Sequence, residues 1–334
     1  MNKPLRFAIL VFLGVLLLGL CSRSVAAVVE GSPQEDIPLV KSLKITILST
    51  MLADTAGIGE WGFAALVEAD GHQILFDTGR LPETVLQNAK ALGIELSDVQ
   101  DVILSHNHAD HTGGLVMLRR ELAKKNPTAV SRTHVARGIF WGRPPDPRGP
   151  SMPVVKEGYE EIGGIFIERA EPVEMRPGVW LTGPVPRIHP ERNYGRGGKV
   201  GQVESPDGPV EDNIPESQSL VVNTPRGLVV VSGCGHAGII NIVDYAHKVV
   251  GPAPVHAVLG GFHLMEASDE RLAWTGEMFR EREVENLIGA HCTGIEALFR
   301  LRAGTGLARQ HAVVGAVGAS FSLEKGIDPL MLAR

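Results

Sequence analysis

From residue 43 onward the chain alternates short apolar blocks with turn residues. LKITILST (43–50) is strand-like, and WGFAALVEADGHQILFDTG (61–79) reads as two apolar runs joined at Asp70-Gly71, a strong short-range hairpin signal. The period then changes. In PETVLQNAKALGI (82–94), Val85, Leu86, Ala89 and Leu92 share one helical face behind Pro82. DVILS (101–105) predicts a strand, and GGLVMLRRELAKKNP (113–127) a helix ended by Pro127. Between 141 and 218 the rhythm breaks. WGRPPDPRGPSMP and YGRGGKVGQVESPDGPVEDNIPE are rich in Pro, Gly and charge, and predict a long loop-rich insertion around a few strands (GIFIERAEPV, GVWLTG). Regular patterning resumes with the hairpin SLVVNTPRGLVVVSGCGH, turning at Pro225-Arg226-Gly227. There follow a helix (GIINIVDYAHKVV), a strand (VHAVLGGFHL), a helix from Asp269 to about Glu283, a strand (VENLIGAHCTG), a helix from Gly294 and a closing strand near HAVVGAVGASFSL. Strands followed by strand–loop–helix alternation in both halves predict an α/β fold with two β-layers and helices outside.

One stretch stands apart. SHNHADHTGG (105–114) sets His106, His108 and His111 around Asp110, on a loop between a predicted strand and a helix, where functional groups collect in α/β layouts. This spacing lets His106 and His108 aim at one cation and Asp110 with His111 at a second. Imidazole and carboxylate suit zinc, and manganese or iron less selectively. The alternative, a polar surface loop, needs four ligand-type residues to fall together by chance behind a buried strand.

SHNHADHTGG resembles the HxHxDH signature of the metallo-β-lactamase fold superfamily, with LFDTG as that superfamily's preceding strand. SGCGHAGIIN, LGGFHL, HCTG and TGPVPR (182–187) further resemble the branch typified by the dihydropterin ribofuranosylaminobenzene phosphate synthases, with Gly235 where that branch commonly has Ser. The resemblance runs from about Leu43 to the C-terminus. It implies an αββα sandwich, one domain over 43–334, with metals at the edge between the two sheets. It implies His236 and His291 as further ligands, each ending an apolar strand. Cys234 stands where many members place a bridging aspartate, as a ligand or just behind the metals; His263 is a ligand or a substrate contact. Asp77 is expected to orient the motif loop from behind. The other histidines (His72, His134, His247, His256, His311) lack ligand company. His189, with Arg187 and Arg192, either lines an anion pocket or lies on a solvated loop.

Composition narrows the function. Net charge is −6 with no basic stripe, which argues against nucleic-acid binding. The start, MNKPLRFAILVFLGVLLLGLCSRSVAAVVEG, has Lys3 and Arg6, an apolar run from Phe7 to Leu20 and a small-residue stretch, the layout of a signal peptide cleaved after Ala26. An uncleaved anchor and a lipid-modified Cys21 are the alternatives, and in either the N-terminal segment would be the one membrane attachment. Export leaves Cys234 and Cys292 in the mature chain, too few for a disulfide framework. The expected protein is therefore an exported, periplasmic or secreted, metal-dependent hydrolase holding two zinc ions. A hydroxide generated between them at neutral pH would attack a small-molecule ester, lactone, amide or phosphodiester, with Asp110 orienting the nucleophile or taking its proton. The alternatives are a synthase-like transferase on a phosphorylated or pterin-like substrate and a non-catalytic metal binder.

Overall fold

Short strands with apolar residues on both faces need cover on both sides, and two sheets stacked between helices supply it. The computed structural model describes residues 38–144, 149–191 and 201–333; the expected signal segment and Arg192 lie outside these residues. Every described element falls within one compact unit, Ile37–Arg334. The chain opens with β1 (Leu43–Ser49), β2 (Ala64–Ala69), β3 (His72–Phe76), β4 (Asp101–Ile103), β5 (Arg132–Ala136) and β6 (Ile165–Arg169) in a first sheet. It then crosses to a second sheet with β7 (Val173–Arg176) and β8 (Val179–Leu181), and forms a separate hairpin, β9 (Gln202–Ser205) and β10 (Gly208–Glu211). The second sheet is completed by β11 (Ser219–Thr224), β12 (Gly227–Ser232), β13 (Val255–Gly260), β14 (Leu287–Gly289) and β15 (Ala312–Val314). Finally β16 (Ser320–Ser322) and β17 (Gly326–Asp328) return to the first.

The helices are α1 (Thr84–Ala91), α2 (Ala109–Thr112), α3 (Leu115–Leu122), α4 (Met152–Glu160), α5 (Ile239–Val250), α6 (Asp269–Glu281) and α7 (Ile295–Thr305). Side-chain alternation along the strands sorts the core into three layers. Ile45, Val67, Phe76 and Ile103 meet Leu181, Val222, Val229 and Leu259 between the sheets. On the outer face of the first sheet, Leu66, Leu75 and Val102 pack with Val85 of α1, Leu118 of α3 and Tyr159 of α4. On the outer face of the second, Val221, Val230 and Val258 pack with Ile242 of α5, Phe279 of α6 and Leu301 of α7. Each fully buried side chain of this kind contributes about 1.5–3 kcal/mol. The result is the expected αββα sandwich.

The hairpin at Asp70-Gly71 forms as predicted, with φ of 46° and 81° at the two turn residues and Ala69 paired to His72. Four local expectations change. Trp61, Gly62 and Phe63 stay out of β2, because the Phe63 N–H donates to the Asp110 carbonyl instead of to β1. The first helix begins at Thr84 rather than Pro82. The insertion contains a regular helix, α4, which buries Met152, Val155 and Tyr159. The predicted closing strand is two: β15 pairs with β14, and β16 pairs with β1 in the other sheet after a turn at Gly318, whose φ is 90°.

The parallel pairings β3–β4, β12–β13 and β13–β14 set the stage for the site. They bring the carboxyl ends of five strands together along the edge between the sheets. Phe321 of β16 is fully buried in the inter-sheet layer and its ring lies 5.4 Å from that of His256. Phe321→Ala is expected to cost about 3–5 kcal/mol in denaturant unfolding; a loss under about 1 kcal/mol would show that the return strand does not close this core.

Candidate metal centre

Five strand ends deliver the polar cluster: Asp77 follows β3, His106 to His111 follow β4, Cys234 and His236 follow β12, His263 follows β13, and His291 follows β14. Asp77, His263 and His291 adopt φ of 57°, 49° and 48°, a region costly for residues other than glycine and concentrated at functional sites. The surrounding hydrogen bonds hold these conformations in place.

Asp77 is completely buried. Its Oδ1 accepts the Ser105 N–H at 2.7 Å, and its Oδ2 accepts the Ser105 hydroxyl at 2.7 Å and His111 Nδ1–H at 2.7 Å. Because the Ser105 hydroxyl has spent its one proton on Asp77, its oxygen accepts from His106 Nδ1 at 2.9 Å. The network thus assigns Nδ1–H to both His106 and His111, turning the Nε2 atoms toward the cluster. The Thr78 N–H and hydroxyl both donate to the His111 carbonyl. Half of the motif is helical rather than loop: α2 begins at Ala109 and presents Asp110 and His111 on one short turn. Gly113 permits this turn to approach the 77–80 segment, since a Cβ there would lie 1.9 Å from the Arg80 carbonyl oxygen. From the other sheet, the Gln218 N–H and side-chain amide donate to the carbonyls of Ser105 and Leu104, locking the start of β11 to the motif.

All eight sequence-predicted ligands converge. His106, His108 and His236 form one group; Asp110, His111, Cys234 and His291 form a second; Cys234, His236 and His263 form a third that overlaps both. Within each group the ligand atoms lie within 4.8 Å of one another. Neighbouring rings are close, with centroids 4.6 Å apart for His106–His236, 4.9 Å for His108–His236 and 4.5 Å for His236–His263. In the second group His111 Nε2 lies 3.1 Å from Cys234 Sγ, and Asp110 Oδ2 lies 3.3 Å from His291 Nε2. These donors fit a divalent cation. His106 Nε2 is buried with no hydrogen-bond partner, an arrangement that costs free energy and that a cation satisfies. Imidazole, carboxylate and thiolate together suit zinc.

Charge is distributed unevenly. Burial, reinforced by the neighbouring His111 and His108, pushes His106 well below its ordinary pKa, so it stays neutral. Burial also opposes a charge on His111, but Asp77 and Asp110 outweigh it and hold its pKa up at about 9. Asp110 is likewise penalised by burial, yet His111 and His291 keep it far below the usual carboxylate range. Burial raises the Cys234 thiol.

The remaining expectations resolve as follows. His189 is spent on Asp244 at 2.7 Å, and Arg187 donates to the carbonyls of Asn213 and Ile214, so among the described residues this segment makes internal bonds. His134 pairs with Asp101, His256 with Glu285 and His311 with Asn286, each away from the cluster. Sequence reasoning missed Ser105 and Gln218. Ser105 had a signal, its place between the strand and His106; Gln218 had none. Cys292 is buried with its Sγ 3.3 Å from Cys234 Sγ. The insertion reaches the motif too: a Cβ on Gly149 would lie 2.5 Å from that of Ala109, and Arg143 ties the insertion together by pairing with Asp212 and with the fully buried Glu216.

A sandwich whose polar cluster sits at strand ends between two sheets defines a class, and the chain belongs to the metallo-beta-lactamase superfamily, whose family model matches residues 62–182. Among its relatives is the 7,8-dihydropterin-6-methyl-4-(beta-D-ribofuranosyl)-aminobenzene-5'-phosphate synthase of Methanocaldococcus jannaschii. That protein is 32% identical over 259 residues, which are 74% of this chain and 87% of the relative. The fold is similar to that of Tm1679, described as a metal-dependent hydrolase of the beta-lactamase superfamily, with a TM-score of 0.67 and 26% identity over 87% of this chain and all of that one. It is also similar to Zn(2+)-bound PqqB from Methylobacterium extorquens, with a TM-score of 0.50 and 15% identity over 84% of this chain and all of that one.

Cation binding must displace protons from these groups. His111, with a pKa of about 9, carries its proton at pH 7.5 in the metal-free protein. Loading the stripped protein with zinc at pH 7.5 is therefore expected to release at least one proton per chain, read with an indicator dye in weak buffer, and apparent affinity should fall as pH drops. Loading without proton release would contradict the assigned charge of His111.

Proposed function

We propose that the protein is an exported metal-dependent hydrolase of a small molecule. The observation that carries this reading is the pair of adjoining ligand groups with Asp110 in the second, placed at the mouth of the sandwich rather than in its core. His106, His108 and His236 would hold one divalent cation, and Asp110, His111, Cys234 and His291 another, with His263 beside both. Such cations, when bound, supply Lewis acidity that makes water nucleophilic near neutral pH and polarises an ester, lactone, amide or phosphodiester.

The protein's own part is orientation. Asp77 and Ser105 fix the ring planes of His111 and His106. The carboxylate of Asp110 stays ionised throughout the working pH range, so it orients a nucleophilic water by accepting its hydrogen bond more effectively than it stores a proton. Support for the hydrolase class comes from the similarity to Tm1679. A second reading, transfer chemistry, is supported by the 32% identity to the M. jannaschii synthase.

The metal-loaded protein should be assayed against ester, lactone and phosphodiester panels and, in parallel, for formation of the dihydropterin product in the relative's name. Turnover in the first arm supports hydrolysis; turnover in the second alone replaces it with transfer. Asp110→Asn is expected to lower the observed rate by about 10²-fold or more through lost orientation, with little change in thermal stability; near-full activity in a variant that retains metal would remove Asp110 from the mechanism. Export rests on the charged start, apolar run and small residues before Ala27. Intact mass of the protein from its native host is expected to correspond to a chain beginning near Ala27, and a mass retaining residues 1–26 would refute cleavage.

A further inference from the structure

Trp61 is a large aromatic left 36% exposed in a loop that is otherwise tightly fastened. The fastening is specific. On one side of it, Glu60 is buried and its carboxylate accepts the Ser49 hydroxyl at 2.6 Å and the N–H groups of Arg80 and Leu81 at 3.1 and 2.8 Å. On the other side, a Cβ on Gly62 would lie 2.7 Å from the Arg80 nitrogen and 3.0 Å from the Asp110 carbonyl oxygen, so the backbone there is pressed against the ligand turn. Phe63 N–H then donates to that same Asp110 carbonyl at 3.1 Å. Part of the Trp61 side chain still reaches solvent. It stands beside the second ligand group, its centroid 5.1 Å from the His291 ring and tilted by 57°. The His291 N–H is itself held by the hydroxyl of Thr50, at the head of the Trp61 loop.

Two further exposed apolar side chains lie on the segments that flank His291. Met265, 46% exposed, follows His263, and its N–H donates to the carbonyl of Cys292. Its Cα would lie 2.9 Å from a Cβ on Gly294, and Ile295, 49% exposed, comes next in the chain. The indole of Trp61 thus stands at the second ligand group, and the segments next to His291 carry a thioether and a branched aliphatic that meet solvent. A rigidly mounted aromatic that meets solvent next to a metal-ligand set is placed to receive the apolar part of a ligand.

We propose that Trp61 is a specificity-determining wall of the site, against which the apolar acyl or aryl part of the substrate packs beside the reacting carbonyl or phosphoryl group. The inference rests on the reading that these ligands hold a catalytic metal pair, and it adds the chemistry of the substrate's non-reacting half. Glu60 and Gly62 are positioning residues for the ring.

The test uses hydroxamates, which chelate through a common head and differ in the tail. Binding of acetohydroxamate and benzohydroxamate to the zinc-loaded full chain is measured by calorimetry, with metal content determined for each protein. Wild type is expected to bind benzohydroxamate about tenfold more tightly than acetohydroxamate, the scale of one aromatic contact. Trp61→Ala is expected to abolish that preference while leaving metal content and acetohydroxamate affinity unchanged, and Trp61→Phe to restore most of it. Equal affinities in wild type, or a preference that survives Trp61→Ala, overturns the wall while leaving the metal site intact. An equal drop for both hydroxamates in Trp61→Ala assigns the ring a structural role and also overturns the proposal. Failure of the zinc-loaded wild type to bind either hydroxamate overturns the proposal together with the metal-site reading beneath it.

Discussion

A buried carboxylate is expensive unless its oxygens are hydrogen-bonded, and the Asp77 side chain uses both. Its three short hydrogen bonds join the end of β3 to the end of β4, fix the backbone at Ser105 and orient the ring of His111. Through the Ser105 hydroxyl the same carboxylate sets the ring of His106. One charged group therefore determines where two imidazoles point before any ion arrives. The unfavourable φ of 57° at Asp77 is held by the same bonds and by the packed strand behind it. The glycine pair behind the motif lets the ligand turn close against the segment that Asp77 begins, with Gly113 packed on the Arg80 carbonyl and Gly114 on that of Thr78.

Two histidines on the same loop end with opposite electrostatic character. His106 faces other imidazoles and a neutral hydroxyl, and burial keeps it uncharged. His111 faces Asp77 and Asp110, and their negative charge overcomes the same burial. The first group of ligands thus contributes three imidazoles, that of His106 kept neutral, and the second contains a carboxylate, a protonated imidazole and a buried thiol. The cluster presents two coordination environments of different hardness and different proton demand, joined through Cys234 and His236 in the overlapping group.

Much of this was legible in the sequence because the chemistry is locally dense. Four ligand-type residues within HNHADH could be read without a fold, as could the Asp70-Gly71 hairpin and the α5 pattern. The partners contributed by the second half were not readable from spacing: His111 and Cys234 touch across 123 positions, and only the resemblance of GCGH, GGFH and HCTG to known motifs placed them. The helix α4 was hidden by the Pro and Gly around it, although Met152, Val155 and Tyr159 do keep helical spacing. AVVGAVGASFS reads as one strand because its apolar residues run on while the chain changes sheets. Trp61 carried no signal at all. Its role depends on Phe63 bonding to Asp110 instead of to a neighbouring strand, a tertiary choice that local propensity does not record.

The insertion that touches the motif at Gly149 obeys different rules from the segments that build it. The ligands are fixed by strand ends, positive-φ residues and buried hydrogen bonds, whereas residues 138–144 are joined to residues 201–216 by the ion pairs of Arg143 and by the bridge from Gly142 to Glu204. The guanidinium of Arg143, with its two carboxylates, links the two parts of the insertion without touching a ligand side chain. A lineage carrying this fold can accordingly keep the ligand scaffold and exchange the insertion as a cassette, so that what meets the cluster changes by rewriting a loop and not by rebuilding the strand ends.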